Sequence, residues 1–357
     1  MAPKGTKRPA SGAASLAKRP ASGSALLRCR PACKSVPLWE GACGPSDAPL
    51  PRAEAEVIGY ADQGDQSADA PNLELYLLGK SEHDDSDGHL PGLIIVVPGG
   101  GMMFRSLREA GSVCLWINSL GLHAAVLNYR VQRRFPAAFL DARRAVQCVR
   151  ANAESWGVNT GRVGVMGFSA GGHVVAMLAA AWDYPMELGR EGPEADKASG
   201  ALARDARPDC AILCYPVVTC SDAPAGNVPA ESSQFSRVGS RREGEERPVR
   251  HHGSCAVLLG EEPWDEIAIA RISAEKWVRS EPKPPPTFLW HTAADAVVPS
   301  GNPLLFAAAL SRVCAPYELH VFQEGGHGLA LGEDCDAGRA VAWRSLCESW
   351  LRELGWL

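Results

Sequence analysis

No apolar run in this 357-residue chain is long enough to form the core of a secretory leader. None reaches the ~20 apolar residues needed to cross a bilayer. A membrane span is excluded on that ground, and a cytoplasmic protein is the expectation. Acidic residues are missing before Glu40, where Arg, Ser and Ala abound. That composition also fits an organelle transit segment, so an organelle stays open as the alternative. A strong charge of one sign is missing as well: the formal net charge is −5, which points to no nucleic-acid or membrane partner for the chain as a whole. Cys29, Cys33 and Cys43 lack the CxxC spacing of a zinc site, and Cys148, Cys210 and Cys214 lie in apolar segments. The twelve cysteines of so long a chain therefore read as reduced thiols in a reducing compartment, not as a disulfide framework. Neither a metal site nor a cofactor is expected.

The composition is that of an ordinary globular protein, with 46% hydrophobic and 22% charged residues. Charge is unevenly placed. Residues 1–52 hold nine Lys/Arg against two Asp/Glu, and the rest of the chain is acidic. The basic segment repeats itself, "KRPASGAASLA" from Lys7 and "KRPASGSALLR" from Lys18. It is rich in Pro, Ala, Ser and Gly without apolar periodicity, so residues 1–54 are expected to be a disordered arm or an address. Residues 55–357 are expected to form one domain, interrupted by a polar insertion at about 183–253 that contains "SRVGSRREGEERPVRHHGS".

Beyond the arm, apolar runs alternate with amphipathic stretches. "LELYLL" (73–78), "LIIVVP" (93–98), "HAAVLNYR" (123–130), "RVGVMGF" (162–168), "CAILCYPV" (210–217), "TFLWHTA" (287–293) and "YELHVFQ" (317–323) read as strands. Helices are expected over 107–121, 137–156, 170–181, 265–278, 302–313 and 338–354. In the second of these, Phe139, Ala142, Val146 and Val149 share one face, with Asp141, Arg143 and Arg144 pointing away. Near-continuous apolar strands alternating with helices imply an α/β fold with a mainly parallel sheet covered on both faces.

Sites in open α/β sheets lie at the carboxyl ends of strands. Four features fall there: "PGGGMMF" (98–104), Ser169 in "GFSAG", Asp295, and His327 in "EGGHG". A serine hydroxyl is a poor nucleophile until a neighbouring base takes its proton, which histidine does near neutral pH. A buried carboxylate fixes the imidazole tautomer and stabilises the imidazolium. Gly167 and Gly171 remove Cβ atoms from a tight strand-to-helix elbow at Ser169. Amides of Gly100, Gly101 and Ala170 are candidate donors to a developing oxyanion. His173 and His291 read as structural, and His251 and His252 as part of a solvated loop.

The order Ser, Asp, His is that of α/β-hydrolases. "VVPGGGMMF", "LNYRV", "RVGVMGFSAGGH", "ILCYPVV", "GSCAVLLGEEP", "PPTFLWHTAADAVVP" and "ELHVFQEGGHGLALG" together resemble the esterase/lipase branch of that superfamily. Within it they are similar to the acetyl-xylan-esterase-like, carbohydrate-esterase-like group (BD-FAE/Aes-type serine esterases). The resemblance covers about residues 55–357. It implies Ser169 as nucleophile, Asp295 as triad acid, His327 as base, and Gly100, Gly101 and Ala170 as the oxyanion hole. It further implies a small-molecule or carbohydrate ester as substrate, with a small acyl group such as acetyl, because Met102, Met103 and Phe104 crowd the oxyanion loop. Ala294 stands where relatives often carry the first of two aspartates. Three other readings stay open: a serine peptidase of the prolyl-oligopeptidase type, a hydrolase-like scaffold that binds a small molecule without turning it over, and a protein whose basic arm binds nucleic acid or protein as its main task. Oligomeric state is not legible.

Overall fold

A strand that is apolar at every position is stable only where both faces are covered, because successive side chains point to opposite sides. Leu93–Val97 is such a strand, and so are most of its neighbours. The computed structural model describes residues 34–38, 64–65, 71–79, 90–183, 205–221, 249–333 and 337–357. Within them the strands are β1 (Lys34–Pro37), β2 (Gly64–Asp65), β3 (Asn72–Tyr76), β4 (Leu93–Val97), β5 (Arg105–Ser106), β6 (His123–Asn128), β7 (Val163–Phe168), β8 (Cys210–Cys214), β9 (Thr287–Thr292) and β10 (Tyr317–Phe322). The helices are α1 (Gly111–Ser119), α2 (Ala137–Trp156), α3 (Ser169–Ala181), α4 (His252–Leu259), α5 (Glu266–Arg271), α6 (Gly301–Arg312) and α7 (Trp343–Glu353).

Eight strands form one sheet in the order β1-β3-β6-β4-β7-β8-β9-β10, and β2 pairs with β5 apart from it. From β6 through β10 all pairings are parallel, while β1 and β3 run antiparallel at one edge. The sheet has helices on both faces. Leu93, Ile95, Val97, Val165 and Leu213 pack with residues of α2, α3 and α6, such as Val146, Val175 and Phe306. Ile94, Val96, Met166, Ile212 and Trp290 pack on the other side with Val113 and Ile117 of α1 and Trp343 and Leu351 of α7. The expected α/β fold with a mainly parallel sheet is the one observed. No helix among the described residues is long and apolar enough to cross a membrane.

Several expectations need correction. The segment expected to be an arm contributes β1: Val36 pairs with Leu73, and Leu38 is buried. The repeats at Lys7 and Lys18 lie outside the described residues, as do 184–204 and 222–248 of the expected insertion. Asp141 and Arg144 do not point to solvent. Arg130, just after β6, forms a fork on Asp141, with Nη2 at 2.9 Å from Oδ1 and Nε at 3.0 Å from Oδ2, and both side chains are buried. Arg144 donates from Nε to the Leu38 carbonyl at 2.9 Å. The polar side of α2 is thus roofed by the chain entering and leaving the antiparallel edge.

The helix expected over 265–278 breaks after Arg271, where Ile272 and Ser273 turn into the core. There the Ser273 hydroxyl donates to Ile269 O and accepts from the Cys220 amide. His251 is no solvated loop residue: its Nδ1 accepts from the Ser254 amide at 3.2 Å and caps α4. Cysteines are not all reduced either. Cys220 and Cys255 form a disulfide, with Cα atoms 5.8 Å apart. They are separated by 35 residues, so no local spacing announces a pair that the fold brings together. Cys114, Cys148, Cys210, Cys214, Cys314 and Cys347 are free.

Replacing one partner of a buried ion pair leaves the other charge uncompensated. Asp141→Ala is expected to cost about 3–5 kcal/mol in a denaturant titration. A loss below ~1 kcal/mol would mean that water reaches the Arg130 guanidinium.

Candidate active site

Strand β7 ends at Phe168, whose backbone is still extended, and α3 begins at the next residue. Ser169 takes the bend with φ +52°, a left-handed conformation that costs a non-glycine residue roughly 1–3 kcal/mol. Surrounding backbone holds it there. The Ser169 carbonyl accepts from the Val217 amide at 3.0 Å. A Cβ on Gly167 would lie 2.4 Å from the Gly171 carbonyl oxygen, and one on Gly171 would lie 2.2 Å from that of Val97. Both expected elbow glycines therefore sit where backbone meets backbone.

The bend aims the hydroxyl at His327. Ser169 Oγ lies 2.7 Å from His327 Nε2, and His327 Nδ1 lies 2.6 Å from Asp295 Oδ2. Nδ1–H donating to the carboxylate leaves the Nε2 lone pair to accept the serine hydroxyl. The second oxygen of Asp295 accepts the amides of Val297 and Val298 at 2.8 and 2.9 Å. Asp295 is 1% exposed and Ser169 8%, while the His327 side chain between them keeps 17% of its surface. The three residues expected from strand ends are brought into one hydrogen-bonded line.

Burial acts against both charges in this line. It pulls the His327 imidazolium towards losing its proton, but the Asp295 carboxylate, its hydrogen bond and the more distant Glu109 outweigh it, and the His327 pKa ends above 6.5. Burial likewise pushes Asp295 upward. The charge and bond of His327, then His291 and the Val298 amide, overturn that and leave Asp295 below its ordinary 3.8. His291 is fully buried with Nε2 3.9 Å from Asp295 Oδ2. His173 is buried too, with Nε2 2.6 Å from the Ile272 carbonyl. Desolvation lowers its pKa to about 4, so it is neutral and structural near pH 7.

The loop after β4 lies against the elbow. A Cβ on Gly99 would meet that of Ser169 at 2.8 Å. The loop is held by its carbonyls: Tyr129 donates to Pro98 O at 2.8 Å, Ser106 N to Gly99 O, and Met103 N to Gly100 O. Gly100 has φ +126°, and a Cβ there would lie 2.2 Å from Phe104 O. Among the described residues the amides of Gly100 and Gly101 have no acceptor within the protein. Ala170 lies in the first turn of α3, where amides lack a helical partner.

Two residues of the site were missed from the sequence. Glu109, 4% exposed, accepts the Gly99 amide on Oε2 at 2.8 Å and the Tyr215 hydroxyl on Oε1 at 2.7 Å. Its turn inward coincides with a break in the helix expected over 107–121: a short 3-10 turn, Leu107–Glu109, precedes α1, with Ala110 outside helical geometry. Tyr215, just after β8, accepts the Ala330 amide at 2.9 Å and meets the His327 ring edge-on at 5.1 Å. An acid in "SLREAGS" and a tyrosine in "LCYPV" give no pattern by which to single them out.

Comparison with known proteins places this geometry among relatives. The family described as BD-FAE matches residues 82–196. The crystal structure of an acetyl ester-xyloside bifunctional hydrolase from Caldicellulosiruptor lactoaceticus is similar to this chain at 34% identity, with a TM-score of 0.67. That likeness covers 92% of this chain and 98% of the other. Endo-1,4-beta-xylanase B of Butyrivibrio fibrisolvens is 31% identical over 269 residues, 74% of this chain and 35% of that protein. An acetylxylan esterase of Xylanibacter ruminicola is 27% identical over 271 residues, 74% of this chain and 45% of that protein. The chain thus spans less than half the length of the curated relatives it matches.

The contact at Gly171 is between main chains, which cannot rotate out of the way. Gly171→Ala is expected to lower stability by about 1–3 kcal/mol through overpacking, read as a lowered thermal midpoint. An unchanged midpoint would show that the loop after β4 yields freely.

Proposed function

The chain belongs to the esterase group of the α/β-hydrolases, and on that footing we propose that it hydrolyses carboxylic esters through an acyl-enzyme on Ser169, with small acyl groups such as acetyl on a carbohydrate as the substrate class. The observation that carries the reading is the line from Ser169 Oγ through His327 to Asp295, at 2.7 and 2.6 Å. Ser169 attacks the ester carbonyl as Nε2 of His327 takes its proton. Asp295 stabilises the imidazolium that forms. The carbonyl oxygen becomes an oxyanion that the amides of Gly100, Gly101 and Ala170 receive, each worth ~3 kcal/mol in the transition state. His327 then returns the proton to the departing alcohol. A water activated by the same imidazole attacks the acyl-serine, and the acid leaves with Ser169 restored.

The preference for a small acyl group rests on the packing around the donors. Met102, directly after Gly101, is buried in the core together with Met103 and Phe104. The relatives' names point the same way, since two of them specify acetyl esters.

Hydrolysis of a series of aryl esters by the purified protein tests both parts. Turnover is expected to be fastest for acetate and to fall as the acyl chain lengthens, and Ser169→Ala is expected to lose a factor on the order of 10⁴ or more. A preference for long chains contradicts the small acyl group. Retained turnover in Ser169→Ala contradicts the mechanism.

A further inference from the structure

Glu109 stands where three strand ends converge. One carboxylate oxygen accepts the Gly99 amide beside Ser169, and the other accepts the Tyr215 hydroxyl after β8. That hydroxyl in turn accepts the Ala330 amide, three residues beyond His327. The Gly99 amide can only donate, and the Tyr215 hydroxyl donates to Glu109 while accepting the Ala330 amide, a set that suits an acceptor-only carboxylate. The group is buried, and desolvation leaves its pKa above the ordinary 4.5 although the Tyr215 and Gly99 hydrogen bonds and the charges of His327 and Arg108 pull it down. Burying a carboxylate is costly unless it is paired and hydrogen-bonded. Here the cost is accepted at a point that touches the loop after β4 directly and the histidine loop through Tyr215.

We propose that Glu109 is a positioning residue for this site: through Tyr215 it fixes the loop of Gly99 to Gly101 relative to the loop of His327, and it places a second carboxylate behind the tyrosine ring that meets His327 edge-on. The proposal rests on the ester-hydrolase reading. Other titratable or charged groups facing the pair are Asp295 on His327, and Arg108, Tyr129, Cys214 and Tyr215 around Glu109. Arg108 is the cation among them. The imidazolium formed during attack is therefore stabilised by Asp295 in direct contact and by Glu109 from behind Tyr215. Removing the charge at Glu109 makes His327 a weaker base. Its proton is then lost at lower pH, so the acid limb of the pH–rate profile moves down.

The test is the pH dependence of kcat and KM on an aryl acetate for wild type, Glu109→Gln and Tyr215→Phe, with folding checked by thermal melting. Glu109→Gln is expected to lower kcat about tenfold or more, leave KM within about threefold, and move the acid limb down by about half a pH unit. Tyr215→Phe cuts the link to Ala330 but keeps the charge. It is expected to lower kcat with the acid limb in place. A purely packing role would reduce the thermal midpoint of Glu109→Gln without moving the limb, and an unmoved limb overturns the proposal. If Glu109→Gln does not fold, Tyr215→Phe decides: unchanged kcat overturns the link and a lowered kcat supports it. An inactive wild type overturns the ester-hydrolase reading and this proposal with it, whereas an active wild type with unaffected variants overturns this proposal alone.

Discussion

The first turn of α3 lies directly against the carbonyls of Val97 and Pro98, with Gly171 at the contact, and the site's geometry follows from how close these two main chains come. A side chain at 171 would push the helix away from the end of β4. The approach seats the Gly99 backbone beside Ser169. It also accounts for the strained φ of Ser169: the bend between β7 and α3 has to be sharp if the helix is to return across the end of the neighbouring strand. The strain is tolerated because α3 is buried along its whole length between the sheet and α2.

Electrostatics work within this rigid frame. Desolvation opposes the charged form of each titratable group here; partners outweigh it at Asp295 and His327 and only reduce it at Glu109, whose pKa stays above the ordinary value. Asp295 has two backbone amides and His327, His327 has Asp295 with Glu109 behind it, and Glu109 has the Gly99 amide and the Tyr215 hydroxyl. These partners come from the segments after β4, β8, β9 and β10. Charge and loop placement are thus coupled, since a loop that shifts loses the bond that stabilises its neighbour's ionised form.

The elements that stood out in the sequence are those with strong periodic or positional signals. Short, largely apolar runs such as "LIIVV" and "TFLWHT" read as strands, and the order of Ser169, Asp295 and His327 after three such runs brought the site into view. What stayed hidden depends on contacts made at long sequence range. Val36 and Leu38 belong to the sheet because β3 offers an unpaired edge, which the composition of the basic segment does not reveal. Asp141 and Arg144 lie on the polar side of an amphipathic helix, yet Arg130 and the Leu38 carbonyl meet them there. Glu109 is an ordinary first-turn acid until the Gly99 amide and Tyr215 are known to surround it. Cys220 and Cys255 become partners only through the return of α4 beside the segment after β8.

At the centre of the account is a Ser169 hydroxyl made nucleophilic by His327. Stoichiometric labelling with a fluorophosphonate, read by intact-protein mass spectrometry and peptide mapping, addresses it most directly because the reagent requires an activated serine and no knowledge of the natural ester. The account predicts one label per chain, on Ser169, with none on Ser169→Ala. Equal labelling of wild type and variant, or no labelling of either, would contradict it.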